Sequence, residues 1–288
     1  MATEATTEAT TKTESRAGRR ALWIAIPAAL LSVLPLVWAL SSALRPSEEV
    51  FRYLYPLSWH TLIPETVTFS NFVTLLSGEF HWAMINSVIV AFLSVVLGTF
   101  LSATAAFALA VLRFPGRGPL FGVLVLSFLI PFEAIAIPLA TTFRAMEMQN
   151  TYIGLVLPGI GSGLAIFLLR QFFLNIPPSL AEAARIDGLS WWGVFRHIYL
   201  PLSRPSLVGA GLVVFVFQWQ SFLWPLLIAP DPAMKVAPVA IADFAGELGV
   251  DYGQMFAGAI LAAGVPLLVL LIFQRQFTAS LASSGTKE

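Results

Sequence analysis

The chain has 288 residues, 57% hydrophobic and only 11% charged, with 23 Phe, 8 Trp and a formal net charge of zero. So little charge cannot cover a water-soluble surface of this size, and the composition is that of an integral membrane protein. No cysteine occurs, which excludes a disulfide framework, a thiolate nucleophile, an Fe–S cluster and a Cys-based zinc site.

The start of the chain, rich in Thr, Ala and Glu, cannot build a core, and residues 1–20 read as a disordered cytoplasmic tail. Crossing a bilayer core of about 30 Å takes roughly 20 helical residues. Six runs meet that length: Ala21–Leu44, Trp82–Leu112, Gly118–Phe143 (interrupted by Glu133), Met148–Leu169, Pro205–Pro230 and Tyr252–Gln274. The first is far longer than the about 7–15 apolar residues of a cleaved signal and carries Pro27 and Pro35, so it reads as an uncleaved span. The expected organisation is a six-span domain over 21–277, with a C-terminal cytoplasmic tail at 278–288.

With the N-terminus cytoplasmic, twelve of the sixteen Lys and Arg fall inside, leaving Arg45, Arg52, Arg144 and Lys235 outside. Both termini inside is the arrangement that satisfies the positive-inside bias. The first outer loop, Arg45–Phe80, carries Tyr53, Tyr55 and Trp59 and suits an interfacial cap. In the second run Gly98, Ser102, Ala106 and Ala110 recur at every fourth position, a stripe that predicts a close helix–helix seam. The fourth run holds Gly154, Pro158, Gly159, Gly161 and Gly163, enough to break a helix; broken backbone at membrane depth must face the protein interior or a wet cavity.

Between the fourth and fifth runs lies a polar segment, "EAARIDGLSWWGVFRHIYLP" at 182–201, with coupling region 179–201 around it. Pro177 and Pro178 stop the incoming helix, Ser179 with Glu182 offers a capping box, and Gly188 supplies a left-handed terminus. Ser190 opens a second short helix that Pro201 closes. Trp191, Trp192, Phe195 and Ile198 can seat the second helix on the spans, while Ala181, Ala183 and Ala184 are small enough for another backbone to dock closely. On residues alone the object is either an interfacial connector or an element built to be pushed.

Glu182, Ala183, Ala184, then Gly188, then Ile198, Leu200 and Pro201 match the spaced EAA–G–I–LP signature, and the segment resembles that of membrane permeases of bacterial ABC importers. The wider chain is similar to the carbohydrate-uptake branch, of the smaller maltose type, through "AAFALAVLRFPGRGPLF" at 105–121, "LAIFLLRQFF" at 164–173, "FLWPL" at 222–226 and "FQRQF" at 273–277. The resemblance implies an all-α type I ABC permease fold with six transmembrane helices. It also implies a second homologous permease subunit, two ATP-binding subunits that hold ATP and Mg, and an extracytoplasmic solute-binding protein or lipoprotein. The elbow becomes an ATPase-coupling helix, with Glu182, Ala183, Ala184, Asp187 and Gly188 at the contact. The implied location is the bacterial cytoplasmic membrane, among lipids and without nucleic acid.

No G-x-x-x-x-G-K-[ST] segment occurs, so energy has to arrive from a partner or from an ion gradient, and no cofactor is expected in this chain. Glu133 is the one carboxylate inside a run; it either lines a translocation path or reaches interfacial water from the outer third of its helix. An ion-coupled secondary transporter that uses Glu133 is the competing reading. Gln218, Trp219 and Gln220 combine amides with a large ring, a mixture that suits sugar hydroxyls and equally suits interhelical hydrogen bonds. Asn86 and Ser87, at the outer end of the second run, read as packing glue.

Overall fold

A computed structural model describes residue 23, residues 25–246 and residues 249–285. The expected tail at 1–20 lies outside the described residues. Two compact units emerge, one from the chain up to Thr74 with Ala245–Ile260, the other from Leu75–Phe244 with the chain from Leu261 onward.

The first unit contains α1 (Ala25–Ala43), an apolar helix long enough to cross a membrane. Just past it Arg45, 1% exposed, ties the outer loop together. Its Nη2 donates to the carbonyls of His60 (2.9 Å) and Thr61 (3.2 Å), and its Nε to that of Ser41. Asn71 donates to the carbonyls of Ala43 and Arg45 at 2.9 and 2.8 Å. Ala245–Gly246 pairs antiparallel with Gly249–Val250, and Phe51 meets Tyr252 edge-on at 4.6 Å. These contacts give the outer loop an ordered core, as a cap requires.

Helix α2 (Ser70–Ser77) leads toward the second unit, which is organised on α3 (Phe80–Ala110). The expected seam is present: Gly98, Ser102 and Ala106 are buried, and a Cβ on Gly98 would stand 3.3 Å from the Cα of Ile160. Small residues here let the backbone of the broken fourth run approach, which larger ones would forbid.

The third run divides into α4 (Arg117–Ser127) and α5 (Phe132–Ala145), bent by 95°. Pro131 sits at the bend, where it presets an extended backbone ahead of α5. The fourth run is broken as expected: α6 (Tyr152–Val156) continues as a 3₁₀ turn (Leu157–Ile160) and resumes as α7 (Gly163–Leu174), with a 43° bend. Ser162 caps α7 by accepting from the Ala165 N–H at 3.2 Å. Helices α8 (Pro178–Ile186) and α9 (Trp191–Val194) form the elbow. A π-turn (Phe195–Tyr199) and α10 (Leu200–Leu202) carry the chain into α11 (Arg204–Trp219).

The fifth run differs from its expected bounds. Its helix ends at Trp219 and resumes only as α12 (Leu223–Ile228), and an 84° bend separates the residues before Ser203 from α11. Pro225 falls in the first turn of α12, the place in a helix where a missing N–H costs least. A short α13 (Ala237–Ala242) follows. Helix α14 (Tyr252–Gly285) contains the last apolar stretch and continues past the expected boundary at 277. Among the described residues α1, α3 and the Tyr252–Gln274 part of α14 can each cross a membrane by length and composition, and the total reaches six if each bent pair is one span.

Candidate functional site

The elbow is shaped by its prolines. Pro177 occupies the cap position and Pro178 the first turn of α8, so the helix starts one residue before Ser179 and the expected capping box does not form. Proline's fixed φ pre-organises the turn in place of a side-chain cap. That leaves Glu182 exposed. Gly188 takes φ +88°, a conformation that disfavours any residue with a Cβ. Ser190 then caps α9 by accepting from the Gly193 N–H at 3.1 Å.

The faces of α8 depart in part from expectation. Ala181 and Ala184 are buried against the protein's own core rather than offered for docking, while Glu182, Ala183, Asp187 and Gly188 are exposed. Ile186, 86% exposed, joins that outer edge. Two alanines three apart share one helix face, and the sequence does not say which face is turned inward.

Below the elbow sits an aromatic wedge. Phe195 and Tyr199 are 1% and 2% exposed. Ring centroids of Phe107 lie 5.2 Å from Phe195 and 5.0 Å from Tyr199, and Tyr199 meets Phe173 edge-on at 5.5 Å. Val194, Ala181 and Ala184 share this cluster with Leu109, Leu169 and Ala210. The elbow therefore bears directly on α3, α7 and α11, and close-packed side chains transmit displacement instead of absorbing it. Arg170 closes the same end, its Nε donating to the Leu109 carbonyl at 3.2 Å and its guanidinium 3.9 Å from the centre of the Phe121 ring.

The polar residues expected along a path are scattered. Glu133 lies exposed in the first turn of α5. Gln218 is half-buried, and its Oε1 fills the space that a Gly159 side chain would need, which puts one amide against the break in the fourth run. Ser94 Oγ borders the same space, is fully buried, and has no hydrogen-bond partner among the described residues. Trp219 is buried, and its Nε1 donates to the Ala262 carbonyl at 3.1 Å. Its ring lines an apolar groove of about 670 Å³ with Phe92, Phe100, Phe215 and Val269, a surface with almost nothing for a hydroxyl to bond. Gln220 is exposed just beyond the end of α11.

At the opposite end of α3 the chain is latched by groups read as glue. Asn86 Nδ2 donates to the carbonyls of Ala233 and Lys235, its Oδ1 accepts from Tyr152 at 2.7 Å, and Ser87 accepts from the Ala237 N–H. Asn150, at φ 54°, accepts from the Asp231 N–H at 3.0 Å, and Trp224 Nε1 donates to the Gly154 carbonyl at 2.9 Å. The turn Pro232–Met234 is thus held rigid at the surface, although the sequence marked only Asn86 and Ser87.

A bundle of apolar and broken helices with a packed elbow defines a multi-pass membrane protein of the all-α class. Comparison with known proteins agrees. Residues 98–282 match the family described as binding-protein-dependent transport system inner membrane component, and the chain belongs to that family. It is 37% identical over 278 residues to a trehalose transport system permease protein of Mycobacterium tuberculosis, covering 93% of this chain and 98% of that one. It is 34% identical over 262 residues to an arabinooligosaccharides transport system permease protein of Halalkalibacterium halodurans, covering 90% and 92%. Among solved structures, a bacterial ABC transporter that imports the acidic polysaccharide alginate shares the fold at TM-score 0.77 and 19% identity, over 92% of this chain and 97% of that one.

Proposed function

We propose that this chain is one of two homologous permease subunits of an ATP-driven importer for a sugar or related polyhydroxylated solute. Two ATP-binding subunits holding ATP and Mg supply the energy, and a solute-binding protein delivers the solute from outside. The observation that carries the reading is the intact EAA–G segment, with Glu182, Ala183, Asp187 and Gly188 exposed and Ala184 turned inward, above a buried aromatic wedge. The carbohydrate class rests on the solutes named for the relatives above.

In this reading the Glu182, Ala183, Ala184, Asp187 and Gly188 segment receives the motion of the ATPases. Glu182, Ala183 and Asp187 meet the partner, Ala184 anchors the helix from inside, and Gly188 makes the turn. The wedge passes displacement to α3, α7 and α11. Glu133, Gln218 and Gln220 offer polar groups to the solute, and Trp219 holds α11 against α14.

The test is uptake in vesicles containing the full assembly. Uptake that requires ATP and survives an uncoupler supports the reading. Uptake by this chain alone, collapsing with the proton gradient and abolished in Glu133→Gln, would instead support an ion-coupled carrier. Gly188→Pro and Glu182→Lys are expected to leave membrane insertion intact while ATP hydrolysis stops responding to solute. Proline cannot adopt the φ of position 188, and Lys reverses the charge at the exposed edge.

A further inference from the structure

The turn between α8 and α9 sets the angle of the elbow. It consists of four residues, Asp187 to Ser190, and a Cβ at Gly188 would meet nothing within 4 Å. Local backbone bonds close it only in part: the N–H groups of Asp187, Gly188 and Leu189 donate to the carbonyls of Ala183, Arg185 and Ala184 at 2.9, 3.2 and 3.0 Å. All three bonds finish α8, and none of them fixes α9 relative to it. On the inner side Ala181, Ala184 and Leu189 pack in one cluster with Val194 and Phe195, whereas the outer side of the glycine turn is open and has backbone freedom.

On that exposed outer side a polar clamp crosses the turn. Arg185, in the last turn of α8, donates through Nη1 to the carbonyl of Leu189, and its guanidinium lies 5.0 Å from the centre of the Trp191 ring in the first turn of α9. The planar, multidentate guanidinium is suited to holding a carbonyl and an aromatic face at once.

We propose that Arg185 is a positioning residue of the elbow: by clamping Leu189 and Trp191 it fixes the angle between α8 and α9, so that a push on the exposed edge reaches the π-turn and α11 instead of bending the Gly188 turn. The inference rests on the coupling role proposed above and adds a residue that carries force without being required to touch the ATPase.

The experiment uses the complete transporter in vesicles and reads solute carried per ATP hydrolysed. A residue that only stabilises the fold would lower both rates together and leave that ratio unchanged. Arg185→Ala is expected to cut the ratio about fivefold, the order expected for losing a charged hydrogen bond and a cation–π contact at an exposed site. Arg185→Lys should lose nearly as much, because an ammonium keeps the charge but lacks the plane and the fork. Adding Trp191→Ala to Arg185→Ala should cost little more, since the two residues form one clamp.

A cysteine placed at Ala183 and crosslinked to the ATPase separates the two levels of the reading. Crosslinking retained in Arg185→Ala with a reduced ratio supports the clamp. Crosslinking retained with an unchanged ratio, or losses that simply add, overturns the clamp and leaves the coupling edge standing. No crosslink in the otherwise unaltered protein overturns both.

Discussion

At Gly98 a single hydrogen atom decides how close two helices can come. A Cβ there would stand 3.3 Å from the Cα and 3.5 Å from the carbonyl oxygen of Ile160, and backbone cannot rotate aside as a side chain can. Gly98→Val is therefore expected to destabilise the folded chain by about 1–3 kcal/mol, as overpacking does, seen as unfolding at lower SDS fraction in mixed micelles. Trp224→Phe tests a buried bond in the same way: it leaves the Gly154 carbonyl without its 2.9 Å donor, at a cost of about 1–3 kcal/mol.

Asp251, outside the spans, sets a pH limit. Burial alone would raise its pKa, but donors from Gln254, Ser47 and the Gly253 N–H outweigh burial and hold the carboxyl below the usual carboxylate range. A group whose folded-state pKa is depressed stabilises the fold at pH above its unfolded value, about 3.9, and that contribution disappears as pH falls through the folded-state value. Asp251→Asn should accordingly reduce stability at pH 6 and flatten the acid loss below pH 4, measured by unfolding in detergent across that range.

Among elements, those visible in the sequence were those whose signal is local. Uninterrupted charge-free runs announced α1, α3 and α14, and the Gly and Pro density at 154–163 announced the broken fourth run, because helix length and backbone freedom are properties of neighbouring residues. The π-turn at Phe195–Tyr199 had no such signal; the two rings that bound it, Phe195 and Tyr199, both seat on Phe107, far away in sequence. The inward turn of Ala181 and Ala184 and the fit of Gln218 beside Gly159 are likewise long-range facts. A π-turn holds one residue more than an α-turn and recurs at functional sites. Removing the exposed Arg196 should restore α-periodicity and rotate the elbow by about 100° relative to α11, one residue's share of a helical turn. Insertion should persist while solute no longer accelerates ATP hydrolysis in reconstituted vesicles; normal acceleration would show that the extra residue is not part of the transmission.

Across the whole chain, charge placement and packing can be set against each other. Arg117, Arg170 and the elbow gather at the Leu109 end of α3. Asn86, with the latched carbonyls of Ala233 and Lys235, marks the other end, about 35 Å away at the rise of an α-helix. That distance matches the thickness of a bilayer core with its boundary, so the two clusters are spaced to reach opposite faces, and the excess of Lys and Arg on the Leu109 side makes the cytoplasm the expected location of that side. The chain contains no cysteine, so one introduced at Ala183 or Asp231 is its only thiol. Both positions are exposed. In intact cells a membrane-impermeant maleimide should label Asp231→Cys and spare Ala183→Cys until the membrane is opened. The reverse pattern would invert the topology and remove the elbow from the compartment where ATP is available, and labelling of both from outside would mean that the number of crossings between them is even.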